Sequence, residues 1–204
     1  LGETAMYLRN CWYVAAWARE LDGGLLARTL LGEPVVLYRD DAGAPVALED
    51  RCCHRAAPLS RGVCLEETIE CGYHGLQYDA TGACVHIPGQ TYIPPDARVR
   101  TYPVCERWST VWIWMGDPAR ADQSKIPDYF WLDDPNWVAV RGCIPMRANY
   151  QLLIDNLLDF THVSYLHKNT LSADPTEVPV DTIKDIEVLT TVVGGAVVYE
   201  HQGS

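Results

Sequence analysis

The sequence has too little positive charge for a nucleic-acid-binding protein. Its 204 residues include 16 lysines and arginines against 27 acidic residues, which gives a net charge of −11 at pH 7. Proteins that bind nucleic acids neutralise phosphates with a basic surface, and this composition does not supply one. We therefore expect no nucleic-acid partner.

Long apolar runs are also missing. A membrane-spanning helix needs about 20 consecutive apolar residues, and no segment approaches that length. Cys11–Ala18 is apolar but short, and it contains two tryptophans and a tyrosine. A signal-peptide core is one reading of this segment, but a first strand or core segment is the better one. We expect a cytoplasmic protein, with Met6 as the natural start of the chain.

The eight cysteines do not form the spacing pattern of a disulfide framework. Two of them stand near histidines in a metal-ligand spacing, described below. Disulfides would imply an oxidising compartment, so we expect reduced thiols instead. The remaining cysteines are expected to be buried small hydrophobic residues: Cys11, Cys53, Cys64, Cys84, Cys105 and Cys143.

The first 120 residues have the pattern of short strands separated by turns. Val35–Tyr38 and Val46–Leu48 are apolar, and the turn Asp40–Gly43 between them predicts a hairpin. Tyr78–Gly82 is predicted to be another turn, and Val111–Met115 a bulky strand. The sequence contains no internal repeat and no low-complexity tract.

The second part of the chain changes character. Residues 117–137 are rich in Asp and Pro and are expected to form a linker or a surface segment. From Ala148 to about Val163 no Gly or Pro occurs and leucines recur at helical spacing, which predicts a helix. Strand-like segments return at Ile186–Thr191 and Ala196–Tyr199.

The first constellation with chemical meaning is a pair of mixed Cys/His motifs. Cys52-x-His54 is followed, after sixteen intervening residues, by Cys71-x-x-His74. Two thiolates with two imidazoles suit either zinc or an iron–sulfur centre. In a Rieske [2Fe–2S] centre two histidines hold one iron and two cysteines hold the other, so each loop supplies one ligand to each iron. Structural zinc sites more often pair like ligands within one knuckle, which favours the Rieske interpretation.

The second constellation lies on the predicted helix and consists of Asn156, Asp159, His162 and His167. Two histidines near a carboxylate suggest the open two-histidine, one-carboxylate site of non-haem Fe(II) oxygenases. Residues five apart on a straight helix point about 140° away from each other. Both rings therefore reach one metal only if the helix is irregular, and we place that irregularity at Val163–Leu166. Taken alone, His162 could be a core histidine and His167 a cation at a helix C-terminus.

Together, the two motifs resemble those of the Rieske non-haem iron oxygenases, C-x-H-R…C-x-x-H-G followed by N/E-x-x-D-x-x-H-x₄-H. Arg55 and Gly75 complete the first motif. The resemblance covers nearly the whole chain. Arg9–Ala16 and Ile113–Pro118 look most like the branch of vanillate O-demethylase, dicamba O-demethylase and toluenesulfonate methyl-monooxygenase. The cysteines that form a disulfide in respiratory Rieske proteins are replaced by Ala57 and Tyr73.

The resemblance implies an α+β protein with two domains. An N-terminal all-β Rieske [2Fe–2S] domain would span 6–120, and 121–204 would be the first part of an α+β helix-grip-type catalytic domain. It further implies the terminal oxygenase component of a monooxygenase that hydroxylates an aromatic methyl group or O-demethylates a methoxy group. A ferredoxin or flavin reductase would supply electrons from NAD(P)H, and the protein would be a homotrimer. A Rieske ferredoxin-like electron carrier without oxygenase activity is the alternative, for which 1–120 would suffice.

The resemblance also assigns roles to single residues. The [2Fe–2S] ligands would be the four residues of the Cys/His motifs, and His162 and His167 would bind the mononuclear Fe(II). Asp159 would bridge His74 to an iron-ligating histidine of a neighbouring subunit, and Asn156 would lie beside the iron. The third iron ligand of the family is an Asp far downstream. Because only 37 residues follow His167, we expect that ligand beyond residue 204.

Overall fold

The computed structural model describes residues 7–139, 142–159, 162–167, 190–193 and 196–200. The chain divides into two compact units, Leu1–Val140 (unit 1) and Arg141–Ser204 (unit 2). The functional boundary at residue 120 stays a prediction, because compactness alone does not define a functional domain. Within the described residues, no helix has the length and apolar character required to cross a membrane.

Unit 1 is a β-structure made of short antiparallel strands. The apolar runs expected to form strands do so, and the fold is the predicted all-β domain. The strands in its described part are β1 (Cys11–Trp17), β2 (Leu26–Leu30), β3 (Glu33–Arg39), β4 (Pro45–Glu49), β5 (Val63–Cys64), β6 (Thr68–Glu70), β7 (Gln77–Asp79), β8 (Cys84–His86), β9 (Val104–Arg107) and β10 (Thr110–Met115).

Neighbouring strands are joined mostly by tight turns. β10 pairs with both β1 and β9, and β2, β3 and β4 form a second sheet in sequence order. The predicted β3–β4 hairpin is confirmed, with Tyr38 opposite Val46. A third sheet, β5-β6-β7-β8, carries the loops that hold the predicted ligands. All six residues of β10 are buried, which explains why its sequence does not alternate between apolar and polar residues.

The apolar core of unit 1 reaches as far as the predicted ligands. Cys52 and Cys71 are 4% and 1% exposed and belong to the same packed cluster as the strand side chains. Thiols tolerate such burial because they behave as small hydrophobic groups. The other buried members of the cluster are Val36, Tyr38, Val46, Leu48, Leu59, Ile69, Leu76, Tyr78, Cys84 and Val99.

An ion-pair network around Glu33 fastens the start of β3. Its carboxylate accepts hydrogen bonds from the guanidinium groups of Arg9 and Arg100 and from the Tyr102 hydroxyl, the last at 2.8 Å. Partial burial opposes ionisation, but the Arg9 and Tyr102 hydrogen bonds and the Arg100 charge outweigh it and lower the pKa of Glu33. The network joins the segments before β1 and before β9 to β3.

The described part of unit 2 contains two helices and a hairpin. These are α1 (Tyr150–Leu158), α2 (Val163–Leu166), β11 (Thr190–Val193) and β12 (Ala196–Glu200), with β11 and β12 antiparallel. Asn149 caps α1 by accepting a hydrogen bond from the Gln151 N–H at 3.0 Å. The predicted helix is therefore present, but α1 ends at Leu158 rather than near Val163. The backbone of Asp159 (φ −88°, ψ 86°) is not helical.

Candidate functional site: paired cysteine and histidine loops

Two loops of unit 1 present the predicted cluster ligands with the same backbone hydrogen bonds. In each loop the cysteine N–H donates to the carbonyl five residues later, and the cysteine carbonyl accepts from the N–H four residues later. The distances are 2.8 Å (Cys52 N to Ala57 O), 2.8 Å (Ala56 N to Cys52 O), 2.8 Å (Cys71 N to Leu76 O) and 2.9 Å (Gly75 N to Cys71 O).

The tight turn in each loop requires a left-handed backbone at its fifth residue. Gly75 adopts φ +71° without steric cost, whereas Ala56 adopts φ +54°, a region that non-glycine residues seldom occupy. Both residues lie four positions after a cysteine. The two ligand loops therefore share the same hydrogen-bonded turn, which the unequal spacings of the two sequence motifs do not reveal.

Two glycines allow the ligand loops to approach each other closely. A Cβ on Gly62 would lie 1.9 Å from the carbonyl oxygen of Glu70, and a Cβ on Gly72 would lie 2.9 Å from that of Arg61. Real Cβ atoms do not occur at such distances from backbone atoms. The segment after the first loop and the segment around the second loop are thus packed backbone against backbone.

The four predicted ligands form a pair of thiols and a pair of imidazoles. The thiols of Cys52 and Cys71 are both buried, and burial, together with the neighbouring Cys52 thiol, raises the pKa of Cys71 above its usual value. The exposed rings of His54 and His74 lie edge to face, with centroids 4.7 Å apart. Sequence reasoning predicted these four residues, and the structure brings them together as two chemically distinct pairs.

This arrangement fits a two-iron cluster. Among the described residues, no three His, Cys, Asp or Glu side chains gather closely enough to hold one metal ion. A [2Fe–2S] cluster of the Rieske type needs only two protein ligands at each iron, two cysteines at one and two histidines at the other. The thiol pair and the imidazole pair provide that donor set.

Tyr78 is a residue of the site that sequence reasoning missed. The predicted turn begins too early, because Tyr78 and Asp79 belong to β7 and the turn follows them. The Tyr78 hydroxyl is fully buried, 3.0 Å from the Sγ of Cys52 and 3.2 Å from both the N and the Sγ of Cys53. Burial raises its pKa well above the usual value. No local motif marks Tyr78, since it lies 26 positions after Cys52.

A largely apolar pocket of about 480 Å³ opens beside the imidazole pair. Cys53, His54 and His74 contribute to its wall. The other lining residues are Leu76, Ile87, Pro88, Gln90, Pro94 and Ala97.

Asp50 ties the segment after the first ligand loop to the end of β4. It is 8% exposed, and its carboxylate accepts hydrogen bonds from the Ser60 N–H at 2.7 Å and from the Ser60 hydroxyl at 2.6 Å. Ser60 belongs to a short 3-10 turn, Leu59–Arg61, whose Leu59 is buried in the core. Asp50 therefore holds the chain that leaves the Cys52 loop.

The expectation for the remaining cysteines is only partly right. All eight cysteines lie in the described residues, and none of them forms a disulfide bond there. Cys84 is buried as expected, and Cys11 and Cys105 are partly buried, but the prediction is wrong for Cys53, Cys64 and Cys143, which are exposed. Cys53 lies on the first loop, between the predicted ligands Cys52 and His54, and Cys64 lies on the two-residue strand β5 at a sheet edge.

In unit 2, His162 and His167 flank the single turn of α2. Their rings are 5.3 Å apart between centroids, so two side chains five residues apart do converge. The predicted irregularity at Val163–Leu166 is wrong, because those residues are helical. The regular helix ends earlier, before Asp159, and the histidines occupy the N-cap and C-cap of α2. Because both histidines lie at the ends of a one-turn helix, they need not point about 140° apart as residues five apart on a straight helix do.

The His162 ring is oriented by the backbone. Its Nδ1 lies within hydrogen-bond distance of the Asp159 carbonyl oxygen. A carbonyl oxygen can only accept, so Nδ1 carries the proton and Nε2 retains the lone pair needed by a metal ligand. Asp159 thus contacts His162 through its main chain. Both Asp159 and Asn156 are exposed.

Comparisons with known proteins match two separate segments of the chain to two domain families. Residues 11–103 match the Rieske [2Fe-2S] domain, and residues 146–200 match the vanillate O-demethylase oxygenase C-terminal domain. The toluene-4-sulfonate monooxygenase system iron-sulfur subunit of Comamonas testosteroni is 56% identical over 170 residues, 83% of this chain and 49% of that protein. The dicamba O-demethylase oxygenase component of Stenotrophomonas maltophilia is 45% identical over 169 residues, 82% of this chain and 50% of that protein.

Solved structures give the same result. A crystal structure of dicamba monooxygenase bound to dicamba aligns with a TM-score of 0.76 and 45% identity, and covers 80% of this chain and 49% of that one. The chain spans about half the length of the curated relatives it matches. From these matches and the paired ligand loops, the chain belongs to the Rieske non-haem iron oxygenases, in the branch that includes toluenesulfonate monooxygenase and the dicamba and vanillate O-demethylases.

Proposed function

We propose that Cys52, His54, Cys71 and His74 hold a Rieske [2Fe–2S] cluster. The single observation that supports this most strongly is the pairing of two buried thiols and two exposed imidazoles by loops with the same backbone hydrogen bonds. The pairing matches the two-and-two ligand set of the cluster. Neutral imidazoles at one iron make the cluster less negative, which raises its reduction potential over that of a four-cysteine cluster.

We further propose that His162 and His167 bind a mononuclear Fe(II). Their converging rings and the Nδ1 hydrogen bond of His162 support this role. The third ligand would be a carboxylate. Asn156, exposed on the last turn of α1, would be a polar neighbour of the iron.

With both centres loaded, the protein would be the terminal oxygenase component of a monooxygenase. The cluster would supply one-electron transfer and the mononuclear iron would supply oxygen activation. In the overall reaction an aromatic methyl group, O₂, two electrons and two protons give a hydroxymethyl group and water. A methoxy substrate hydroxylated in the same way breaks down to formaldehyde and a phenol. The electrons would come from NAD(P)H through a ferredoxin or flavin reductase.

The assembly would be a cytoplasmic homotrimer in which cluster and iron work across subunits. Asp159 would lie between His74 of one subunit and an iron-ligating histidine of the next, where a carboxylate orients both imidazoles. Its exposed position just before His162 supports this proposal. Asp159→Asn keeps the volume but removes the charge. The variant should retain both metals and show much slower cluster reoxidation in single-turnover mixing with O₂ and substrate.

Mass measurement of the purified full-length protein tests the trimer. A wild-type reoxidation rate in the Asp159→Asn protein would refute the bridging role. Cell fractionation tests the location.

Iron and acid-labile sulfide analysis of the full-length protein tests the metal assignments. Two sulfides and three irons per chain are expected, together with the low average g value of a mixed His/Cys cluster in EPR. NADH-coupled turnover of a panel of methyl- and methoxy-aromatics tests the activity. Zinc without labile sulfide would refute the cluster. A loaded cluster with no mononuclear iron and no turnover would leave only the electron-carrier alternative.

A further inference from the structure

The hydroxyl of Tyr78 lies between two thiols, only one of which is a proposed iron ligand. Cys52 Sγ is a proposed iron ligand and lies 3.0 Å from the hydroxyl oxygen. Cys53 Sγ lies 3.2 Å from the same oxygen and is not a proposed ligand. The Cys53 N–H donates to the hydroxyl oxygen at 3.2 Å, which holds the oxygen in place between the sulfurs.

The hydroxyl has one proton and two sulfur acceptors. The geometry at Cys53 allows Tyr78 to be the donor and Cys53 Sγ the acceptor. At Cys52 either group could donate in the free thiol, but a cysteine bound to iron is a thiolate and can only accept. When the cluster is present, both sulfurs therefore accept from Tyr78 and share its single proton.

We propose that Cys53 is a positioning residue that lowers the reduction potential of the cluster by withdrawing part of the Tyr78 hydrogen bond from Cys52. A hydrogen bond to a ligating sulfur stabilises the more negative, reduced cluster, and so raises its potential. A competing acceptor weakens that bond. This inference rests on the proposed cluster at Cys52, His54, Cys71 and His74.

The competition predicts an ordered series of potentials. Cys53→Ala removes the competing acceptor, so Tyr78 donates to Cys52 alone and the potential rises. Cys53→Ser keeps an acceptor, so the potential stays at or below that of the wild type. Tyr78→Phe removes the donor and lowers the potential. In the Tyr78→Phe background, Cys53→Ala should produce no further change. Cys64→Ala is the matched control, because Cys64 is also an exposed thiol in unit 1 but bonds the Leu65 carbonyl.

The experiment is a spectroelectrochemical titration of the cluster in the full-length holoprotein, with labile sulfide measured for each variant. A higher potential in Cys53→Ala that disappears in the Tyr78→Phe background supports the proposal. An unchanged potential in Cys53→Ala refutes it. An equal rise in both backgrounds also refutes it, because the change would then not pass through Tyr78. A wild-type preparation without labile sulfide would instead refute the proposed cluster itself.

Discussion

Replacing Asp50 by Ala tests how strongly the ligand-loop region depends on one buried carboxylate. Asp50 is 8% exposed and accepts two short hydrogen bonds from Ser60. The substitution leaves the Ser60 N–H without its partner and removes a charge-assisted bond, which together cost about 3 kcal/mol of unfolding free energy. For a chain of this size, such a loss lowers the melting temperature by about 9 °C.

Two milder variants separate the contributions. Asp50→Asn keeps an acceptor for the Ser60 N–H, and Ser60→Ala removes only the hydroxyl, so each is expected to cost about 1 kcal/mol. Near-UV circular dichroism during thermal unfolding gives the melting temperature of each variant and so ranks the three costs. Labile sulfide content shows whether the Cys52 loop still holds the proposed cluster. A melting temperature within about 2 °C of the wild type would correspond to a loss of only about 0.5 kcal/mol of unfolding free energy. In that case the Asp50 carboxylate does not anchor this region.

Three further predictions follow from the geometry. Gly62→Ala places a methyl group against the Glu70 carbonyl and should lower the free energy of unfolding by about 3 kcal/mol or more. Cluster loading, measured as labile sulfide, should fall as well. Wild-type stability would contradict the close approach of Gly62 to that carbonyl. Glu33, whose pKa is lowered in the folded state, adds stability above its ordinary pKa of 4.5 that is lost as the pH falls below it. Melting temperatures between pH 7 and pH 3 should therefore fall less steeply in Glu33→Gln. Replacing His162 or His167 by Ala should remove the mononuclear iron but leave the cluster, because the proposed cluster ligands lie in unit 1. Metal and labile-sulfide analysis measures both centres, and loss of both in a folded variant would contradict this prediction.

The proposed cluster ligands could be identified from the sequence because their chemistry is local. Each Cys/His pair lies within four residues, and a mixed pair in each of two loops is unusual for zinc. The β3–β4 hairpin was predictable for the same reason, since Asp40–Gly43 separates two apolar runs. The family resemblance carried the interpretation of His162 and His167, which spacing alone would not support.

The rest of the site depends on contacts between distant parts of the chain. Tyr78 reaches Cys52 only because β7 packs beneath the first ligand loop, and periodicity gives no sign of that contact. The exposure of Cys53 was missed because composition assigns cysteines to the core, whereas Cys53 lies on a tight loop in which Cys52 is buried and the residues that follow it are exposed. The helix irregularity was misplaced because a five-residue spacing shows that a regular helix must end, but not where it ends.

The four proposed cluster ligands place a buried side and an exposed side at the site. The thiols of Cys52 and Cys71 belong to the apolar core, whereas the rings of His54 and His74 are exposed beside a pocket. One iron of the proposed cluster would thus be held inside the β-structure and the other at its surface. Electron transfer weakens steeply with distance, so electrons would enter and leave through the imidazole side. The buried thiol side, where the Tyr78 hydroxyl contacts Cys52, would then tune the potential without obstructing the surface at which partners meet.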